Sequence, residues 1–311
     1  MVDRPLTAIH LQLDFWQSGA YVGEEALIRV LDQDVPSTTK LMTSAKLAFE
    51  TAHDDLDSMA AAEKARDEGL IESKPYIRGR TPSYDFAQYH RLAEIYDFMD
   101  STVKRSSVRK IATIVDIGTT FEGRSMRLMK IGKPKDDTKK KPEYFIECNI
   151  HAREFMATGT CVYFISEFVT GYLRNDTEFT RLIEDLDWYI LPVANPDGYD
   201  YAHSGGLAKV RYWRKNRSGP HEREGISAYG VDLNRNWDDH FGEKGASPFP
   251  NKDTYRGPSA FSERETRALR DFVLARKDSI QAYASIHAFG QKLLLPFCFN
   301  HWAEPPDFAE T

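Results

Sequence analysis

The chain has 311 residues, of which 41% are hydrophobic, and it carries a formal net charge of −6 with a pI near 5.9. An acidic balance of this kind argues against a general nucleic-acid-binding protein. No apolar stretch approaches the roughly 18 residues of a membrane span, so we expect no membrane partner. The length allows one large domain or two smaller ones with a sizeable core.

The first 80 residues differ in pattern from the rest of the chain. Residues 10–16 and 26–31 are apolar runs that predict strands, and residues 44–70 predict a helix, because they are rich in Ala, Glu, Asp and Lys and contain no proline. Residues 74–82 contain two prolines and two arginines and predict an exposed basic linker.

From residue 84 onward, strand and helix patterns alternate. Strands are predicted at four places before residue 200 and at one place after it, and helices lie between them. In chain order the predicted elements are helices at 84–106, strands at 110–115, 125–131 and 144–150, a helix at 155–173, a strand at 188–193, a helix at 263–276 capped by Ser262, and a strand at 280–286. This alternation implies an α/β domain with a largely buried sheet.

Three side chains that could bind a metal follow two of the predicted strands. His151 and Glu154 follow strand 144–150, and His287 follows strand 280–286. Ligands collect at such strand ends in open α/β sheets. Two His and one Glu with an open fourth position form the ligand set of a hydrolytic zinc site. The four-residue pattern His-x-x-Glu also recurs by chance, and the alternative is a surface pair that caps the following helix.

Three further motifs lie between these segments. They read LPVANPDGY at 191–199, RYWRKNR at 211–217 and GVDLNRNW at 230–237. Together with His-Ala-Arg-Glu and Ser-Ile-His, they resemble the zinc carboxypeptidase family of the carboxypeptidase A and B type, from about Ser83 to Phe297. The resemblance implies a mixed, mostly parallel sheet flanked by helices, preceded by a small α+β region. It also implies removal of C-terminal amino acids from peptides and proteins by zinc-activated water.

The same resemblance assigns the metal site and the domain boundaries. It implies one Zn²⁺ per chain on His151, Glu154 and His287, with Asp232 accepting a hydrogen bond from His151. The alternative role for Asp232 is a strand-end cap. Residues 1–80 resemble a shortened pro-segment with its linker, and residues 81–311 resemble the catalytic domain. An activating protease would cut at Arg78 or Arg80; the alternative is an ordinary basic linker.

Five polar residues are assigned to the substrate by family position. Arg214 is expected to stabilise the oxyanion that develops during attack on the peptide carbonyl. Asn234 and Arg235 are expected to hold the C-terminal carboxylate of the substrate, because arginine pairs with carboxylates through two hydrogen bonds. Arg153 and Arg211 are expected to line subsites further along the peptide. The alternative for each arginine is scattered surface charge.

Two of the three cysteines are expected to form a disulfide by the same resemblance. Cys148 and Cys161 match a pair that forms a disulfide in carboxypeptidase B-like members, and the alternative is two buried free thiols. Cys298 has no partner that can be named. By family resemblance we expect a secreted, monomeric protein, although no signal-peptide core follows residues 1–5.

Two local patterns are interpreted as structural. Residues 195–198, Asn-Pro-Asp-Gly, are typical of a turn. Glu263, Glu265 and Arg267 lie on a predicted helix and are interpreted as a solvated face.

The family's remaining catalytic residues find no match in the chain. The resemblance places a general-base glutamate, a substrate-covering tyrosine and the residue that sets side-chain preference after the second histidine ligand, and none has a counterpart before Thr311. We therefore expect a C-terminally truncated sequence of an active carboxypeptidase. The alternatives are a non-catalytic zinc- or peptide-binding fragment and a small-molecule deacylase on a related zinc fold.

Overall fold

The structure is a computed structural model that describes residues 13–17, 23–72, 84–134 and 140–297. The described residues fall into two compact units. One contains the residues up to Asp55 together with Phe289–Lys292, and the other contains Leu56–Ala288 and the residues from Leu293. In the part of the chain described here, no helix is both long and apolar enough to cross a bilayer.

The first unit is built on a short hairpin and one helix. Strand β1, Leu13–Gln17, pairs antiparallel with β2, Leu27–Val30. A single 3₁₀ turn leads to helix α1, Val35–Ser44, which ends where the predicted helix 44–70 was to begin. Residues 45–55 are not helical, so the first part of that helix prediction is wrong.

The second unit contains the remaining helices and strands. Its helices are α2 (Leu56–Glu72), α3 (Leu92–Lys104), α4 (Phe155–Leu173), α5 (Thr177–Asp185), α6 (Pro196–Ser204), α7 (Ala208–Arg211) and α8 (Arg264–Leu274). Its strands are β3 (Ala112–Thr119), β4 (Ser125–Ile131), β5 (Glu143–Cys148), β6 (Asp187–Leu191), β7 (His221–Arg223), β8 (Ile226–Ala228) and β9 (Ile280–Ile286).

The main sheet is mixed, which confirms the predicted α/β class. Its described strands run in the order β3-β4-β6-β5-β9. The β3–β4 and β4–β6 pairings are antiparallel, and the β6–β5 and β5–β9 pairings are parallel. In the last pair Cys148 lies opposite Ile286. The chain therefore leaves β5 and β9 at the same edge of the sheet, which brings the segments after them together.

Apolar side chains cover both faces of this sheet. On one face, Met129, Ile131 and Ile190 pack in a cluster with the apolar sides of α3 and α4. On the other, Phe145, Leu191 and residues of α8 form a second cluster. Burial of apolar area on two faces stabilises the sheet by roughly 25 cal/mol per Å² removed from water.

A disulfide joins the end of β5 to α4. Cys148 and Cys161 are bonded, with both residues buried, so the predicted pairing is confirmed. The crosslink spans 13 residues of sequence. A loop of this length contributes on the order of 3 kcal/mol to stability.

The Asn-Pro-Asp-Gly sequence begins a helix, so the turn interpretation is wrong. Asn195 is the N-cap of α6, and its Oδ1 accepts from the Gly198 N–H at 3.0 Å. Pro196 occupies the first turn, where its missing N–H costs nothing. A Cβ at Gly198 would lie 2.5 Å from the Lys215 carbonyl oxygen, so this close approach requires glycine.

Glu263 and Glu265 are buried, which corrects the interpretation of this helix face as solvated. Glu265 has no exposed surface, and the Asn216 Nδ2 donates to Glu263 Oε2 at 2.8 Å and to Glu265 Oε2 at 3.2 Å. Arg267 instead donates to the Phe261 carbonyl at 2.8 Å. The interpretation failed because the charge pattern of the helix cannot reveal that the segment containing Asn216 covers these two glutamates. The predicted Ser262 cap is also wrong, because Glu263 is the N-cap residue and no side chain caps there.

The buried Glu265 predicts a pH-dependent stability. Burial, followed by the charge of Glu263, raises the Glu265 pKa to about 7. A carboxyl with a raised folded pKa stabilises the fold fully below its unfolded pKa, near 4.5, and loses that contribution as pH rises through 7. As pH rises from 4.5 to 8, we expect the unfolding free energy of Glu265→Gln to rise by up to about 3 kcal/mol relative to that of the parent. Urea unfolding across this pH range measures the difference, with Glu222→Gln, at an exposed glutamate, as the control. Parallel plots of unfolding free energy against pH for Glu265→Gln and the parent would contradict the prediction.

Candidate metal centre

The three predicted ligands meet at the shared edge of β5 and β9. His151 Nδ1 lies 2.8 Å from Glu154 Oε1, and His287 Nδ1 lies 3.0 Å from Glu154 Oε2. The two Nδ1 atoms are 3.1 Å apart. One ligand atom from each residue therefore faces a common point, and all of these atoms lie within 4.8 Å of one another.

Burial and charge differ among the three side chains. His151 and Glu154 are buried, whereas the His287 side chain is 34% exposed. Burial alone would raise the Glu154 pKa, but the neighbouring His151 and His287 outweigh it and hold that pKa well below its usual range. Burial alone would lower the His287 pKa, but its hydrogen bond and charge interaction with Glu154 raise it. The carboxylate is therefore ionised, as a metal ligand must be.

The arrangement fits a zinc ion chemically. Two imidazole nitrogens and a carboxylate are ligands that Zn²⁺ takes in hydrolytic sites, at bond lengths of about 2.0–2.2 Å. Tetrahedral ligands at that distance lie about 3.3 Å apart, close to the separations of 2.8–3.1 Å seen here. Both histidines present Nδ1 to this point, and their Nε2 atoms lie 3.3 Å from Asp232 Oδ1 for His151 and 3.2 Å from Ser285 Oγ for His287.

The turn that carries two of the ligands is held by hydrogen bonds to its backbone. Asn149 adopts a φ of 60°, a left-handed conformation that asparagine tolerates better than most residues. Its Nδ2 donates to the carbonyls of Ala152 at 3.3 Å and Glu154 at 3.2 Å. The Ala152 N–H donates to the Arg214 carbonyl at 3.0 Å, which ties this turn to the RYWRKNR segment.

Asp232 lies behind His151 and beside Arg214. Its Oδ1 is 3.3 Å from His151 Nε2, and its Oδ2 lies 3.0 Å from both Nε and Nη2 of Arg214. Asp232 also accepts from the Asn234 N–H at 3.0 Å, as the N-cap of the 3₁₀ turn that follows it. Burial alone would raise the Asp232 pKa, but Arg214 and His151 outweigh it and lower that pKa.

Asn234 and Arg235 follow Asp232 on a 3₁₀ turn, Leu233–Arg235. Both are partly exposed. The Arg235 Nε donates to the Gly245 carbonyl at 3.1 Å and its Nη1 to the Asn234 carbonyl at 2.9 Å, so two backbone carbonyls orient its guanidinium. Asp232 is the link between this turn and the metal ligands.

The two remaining predicted substrate residues have acidic neighbours. Arg153 Nη1 lies 3.6 Å from Asp253 Oδ2. Arg211 stacks over the Phe155 ring at 3.8 Å and donates to both carboxylate oxygens of Glu63, at 2.9 and 3.1 Å. Glu63 lies on α2, so a residue that is predicted to contact substrate is paired with the N-terminal region in this structure.

Sequence reasoning missed two polar residues beside the centre. Ser285 lies in β9, two residues before His287, and its hydroxyl donates to the buried Glu147 of β5. Burial raises the Glu147 pKa to about 6. The signal was present in the sequence, because an acidic residue inside the apolar run 144–150 requires a partner.

Known proteins resemble this chain in sequence and in fold. The sequence profile described as zinc carboxypeptidase matches residues 95–311. Zinc carboxypeptidase A 1 of Drosophila melanogaster is 37% identical over 289 residues, which cover 92% of this chain and 62% of that protein. Carboxypeptidase A1 of Homo sapiens is 35% identical over 304 residues, covering 97% and 67%. The crystal structure of carboxypeptidase A from Helicoverpa armigera superposes with a TM-score of 0.77 at 28% identity, covering 90% and 64%. The chain thus spans about two thirds of the length of the curated relatives it matches.

Proposed function

From the premise that this chain belongs to the zinc carboxypeptidase family, we propose that its protein removes C-terminal amino acids from peptides and proteins by zinc-dependent hydrolysis. The observation that carries the proposal is the convergence of the His151 and His287 Nδ1 atoms with the Glu154 carboxylate. These three residues would hold one Zn²⁺ and leave a coordination position open. When bound, the ion supplies the Lewis acidity that acyl hydrolysis requires.

The arginines around the centre would bind and orient the substrate. Arg214, whose guanidinium is fixed by Asp232, would stabilise negative charge on the peptide carbonyl oxygen as it develops. Arg235, with Asn234 beside it, would bind the terminal carboxylate and so place the last peptide bond at the centre. Arg153 would contact residues further along the peptide. The proton transfers would use the general base that the family resemblance places after the second histidine ligand.

The experiment compares two peptides that differ only at the C-terminus, one a free acid and one an amide. The enzyme is a form of the protein that carries the general-base segment, loaded with zinc. We expect hydrolysis of the free acid and little of the amide, and Arg235→Ala should lose this preference while keeping its zinc. Equal turnover of both peptides would contradict the carboxylate assignment. Bound zinc without turnover would favour the non-catalytic alternative, and preferential hydrolysis of N-acyl amino acids would favour the deacylase.

We also propose that residues 1–80 form a pro-segment whose helix α2 blocks the Arg211 subsite. Besides the pairing of Glu63 with Arg211, Asp57 Oδ1 accepts from the Ala208 N–H at 2.6 Å, and Lys64 donates to the Ser204 carbonyl at 3.1 Å. These contacts hold α2 against α6 and α7. The expected cleavage positions, Arg78 and Arg80, lie outside the described residues. The disulfide supports secretion, since such bonds persist in oxidising compartments.

The ion pair on α2 predicts a local effect. Glu63→Gln should weaken the docking of α2 by about 1–2 kcal/mol, because it removes one charge from a largely buried bidentate pair. Hydrogen exchange of the amides in residues 56–69 should accelerate by roughly 5–30-fold. The matched control is Glu68→Gln on the same helix, whose partner Arg91 is 56% exposed, and it should change exchange little. Equal exchange in the two variants would contradict the role of Glu63.

A further inference from the structure

If His287 binds zinc through Nδ1, as the proposed zinc site requires, its ring proton must be on Nε2. A neutral imidazole has one lone pair and one N–H, and which nitrogen carries the proton is set by the hydrogen bond that the other nitrogen makes. A metal at Nδ1 therefore requires a proton on Nε2 and an acceptor for it. For His151 the nearest carboxylate that could accept this proton is that of Asp232, whose Oδ1 lies 3.3 Å from Nε2.

For His287 the atom next to Nε2 is a hydroxyl oxygen. The Ser285 Oγ lies 3.2 Å from His287 Nε2. A hydroxyl can either donate to Nε2 or accept from it, so serine alone does not fix the tautomer. Its donation to Nε2 would place the ring proton on Nδ1 and block that nitrogen as a ligand. The direction of this hydrogen bond thus decides whether His287 can bind metal.

Glu147 removes the ambiguity. In the β5–β9 pairing Glu147 lies directly opposite Ser285, and the Ser285 hydroxyl donates to Glu147 Oε1. Because the hydroxyl has a single proton, this donation leaves its oxygen to accept from His287 Nε2–H. When a metal replaces the proton that His287 Nδ1 shares with Glu154, the Nδ1 lone pair would be free to bind it at the point that Glu154 and His151 also face.

We propose that Glu147, acting through Ser285, is a positioning residue that holds His287 in the metal-binding tautomer. Glu147 is 1% exposed in a strand whose neighbours are apolar, and its Oε2 lies buried without a hydrogen-bond partner among the described residues. Burying a carboxyl in this way is unfavourable unless it interacts with other polar groups. The two histidine ligands therefore have separate carboxylate supports, which are direct for His151 and relayed by a hydroxyl for His287.

The test measures zinc affinity by chelator competition in the purified chain. Ser285→Ala and Glu147→Leu should each weaken binding by roughly 10–100-fold, the range typical when a group that orients a metal-binding histidine is lost. The double variant should bind zinc about as weakly as Ser285→Ala alone, because Glu147 acts through the hydroxyl. Glu147→Gln keeps a carbonyl acceptor and should retain most of the affinity. Ser227→Ala, an exposed serine on β8, is the matched control and should bind as the parent does.

A second readout separates positioning from general structure. Glu147→Leu replaces a buried carboxyl with an apolar group, so its metal-free form should unfold at the same urea concentration as the parent or at a higher one. Cobalt substitution should show a changed visible absorption spectrum in Ser285→Ala. Parent-like affinity in Ser285→Ala, or losses that add in the double variant, would overturn the inference while leaving the zinc site intact. A parent chain that takes up no zinc would overturn the proposed site itself.

Discussion

Glu154→Ala is expected to abolish equimolar zinc binding. Glu154 is the only anion among the three proposed ligands, and its two oxygens each contact one of the histidines. Its loss removes one protein ligand and the charge that balances the cation. The fall in zinc affinity should therefore exceed the roughly 100-fold that follows loss of a group hydrogen-bonded to a metal ligand. The measurement is metal content after equilibrium dialysis against buffered zinc.

The control for this prediction is Glu222→Ala, which removes an exposed glutamate on β7. It should retain one zinc per chain, and circular dichroism should show that both variants keep the fold. Equimolar zinc in Glu154→Ala would mean that the ligand assignment is wrong. Failure of both variants to hold zinc would point to non-specific loss of metal.

Arg214→Ala is expected to destabilise the metal-free fold by about 3–5 kcal/mol. Asp232 has no exposed surface, and its Oδ2 accepts a hydrogen bond from Arg214 Nε and lies 3.0 Å from Arg214 Nη2. Removing one partner of a buried ion pair leaves the other charge uncompensated, and breaking such pairs typically costs this much. Urea unfolding at neutral pH measures the loss, which is large against a total stability of about 5–15 kcal/mol.

The control here is Arg223→Ala. Arg223 pairs with the exposed Glu224, so this variant should lose no more than about 0.5 kcal/mol of unfolding free energy. A double variant, Arg214→Met with Asp232→Asn, should recover part of the loss because it removes both charges. A loss below 1 kcal/mol in Arg214→Ala would contradict the idea that this pair anchors the site.

Strong local patterns allowed much of the fold to be predicted from the sequence. The bounds of β4, α4 and β9 agree with the predicted ranges, because each has a clear local pattern of apolar residues in the sequence. The position of the candidate site also follows from sequence, since His151 and His287 both follow strands that pair in parallel. The disulfide was found through family resemblance, and it joins the same strand end to α4.

The errors arise where tertiary contacts override local pattern. Asn195–Gly198 has turn chemistry, yet the same Asn side chain caps a helix and Gly198 fits against the Lys215 carbonyl. Glu263 and Glu265 look like surface charges until Asn216, some 50 positions earlier, is placed beside them. Glu147 could be noticed as a charge in an apolar strand, but its partner is known only once β5 and β9 are in register.

The central claim is that His151, Glu154 and His287 hold one zinc ion. Anomalous diffraction from crystals of the zinc-loaded chain, recorded on both sides of the zinc absorption edge, tests it most directly. We predict one strong peak about 2.0–2.2 Å from the Nδ1 atoms of His151 and His287 and from a Glu154 oxygen. A peak at other side chains, or none at this centre in zinc-saturated crystals, would contradict the assignment.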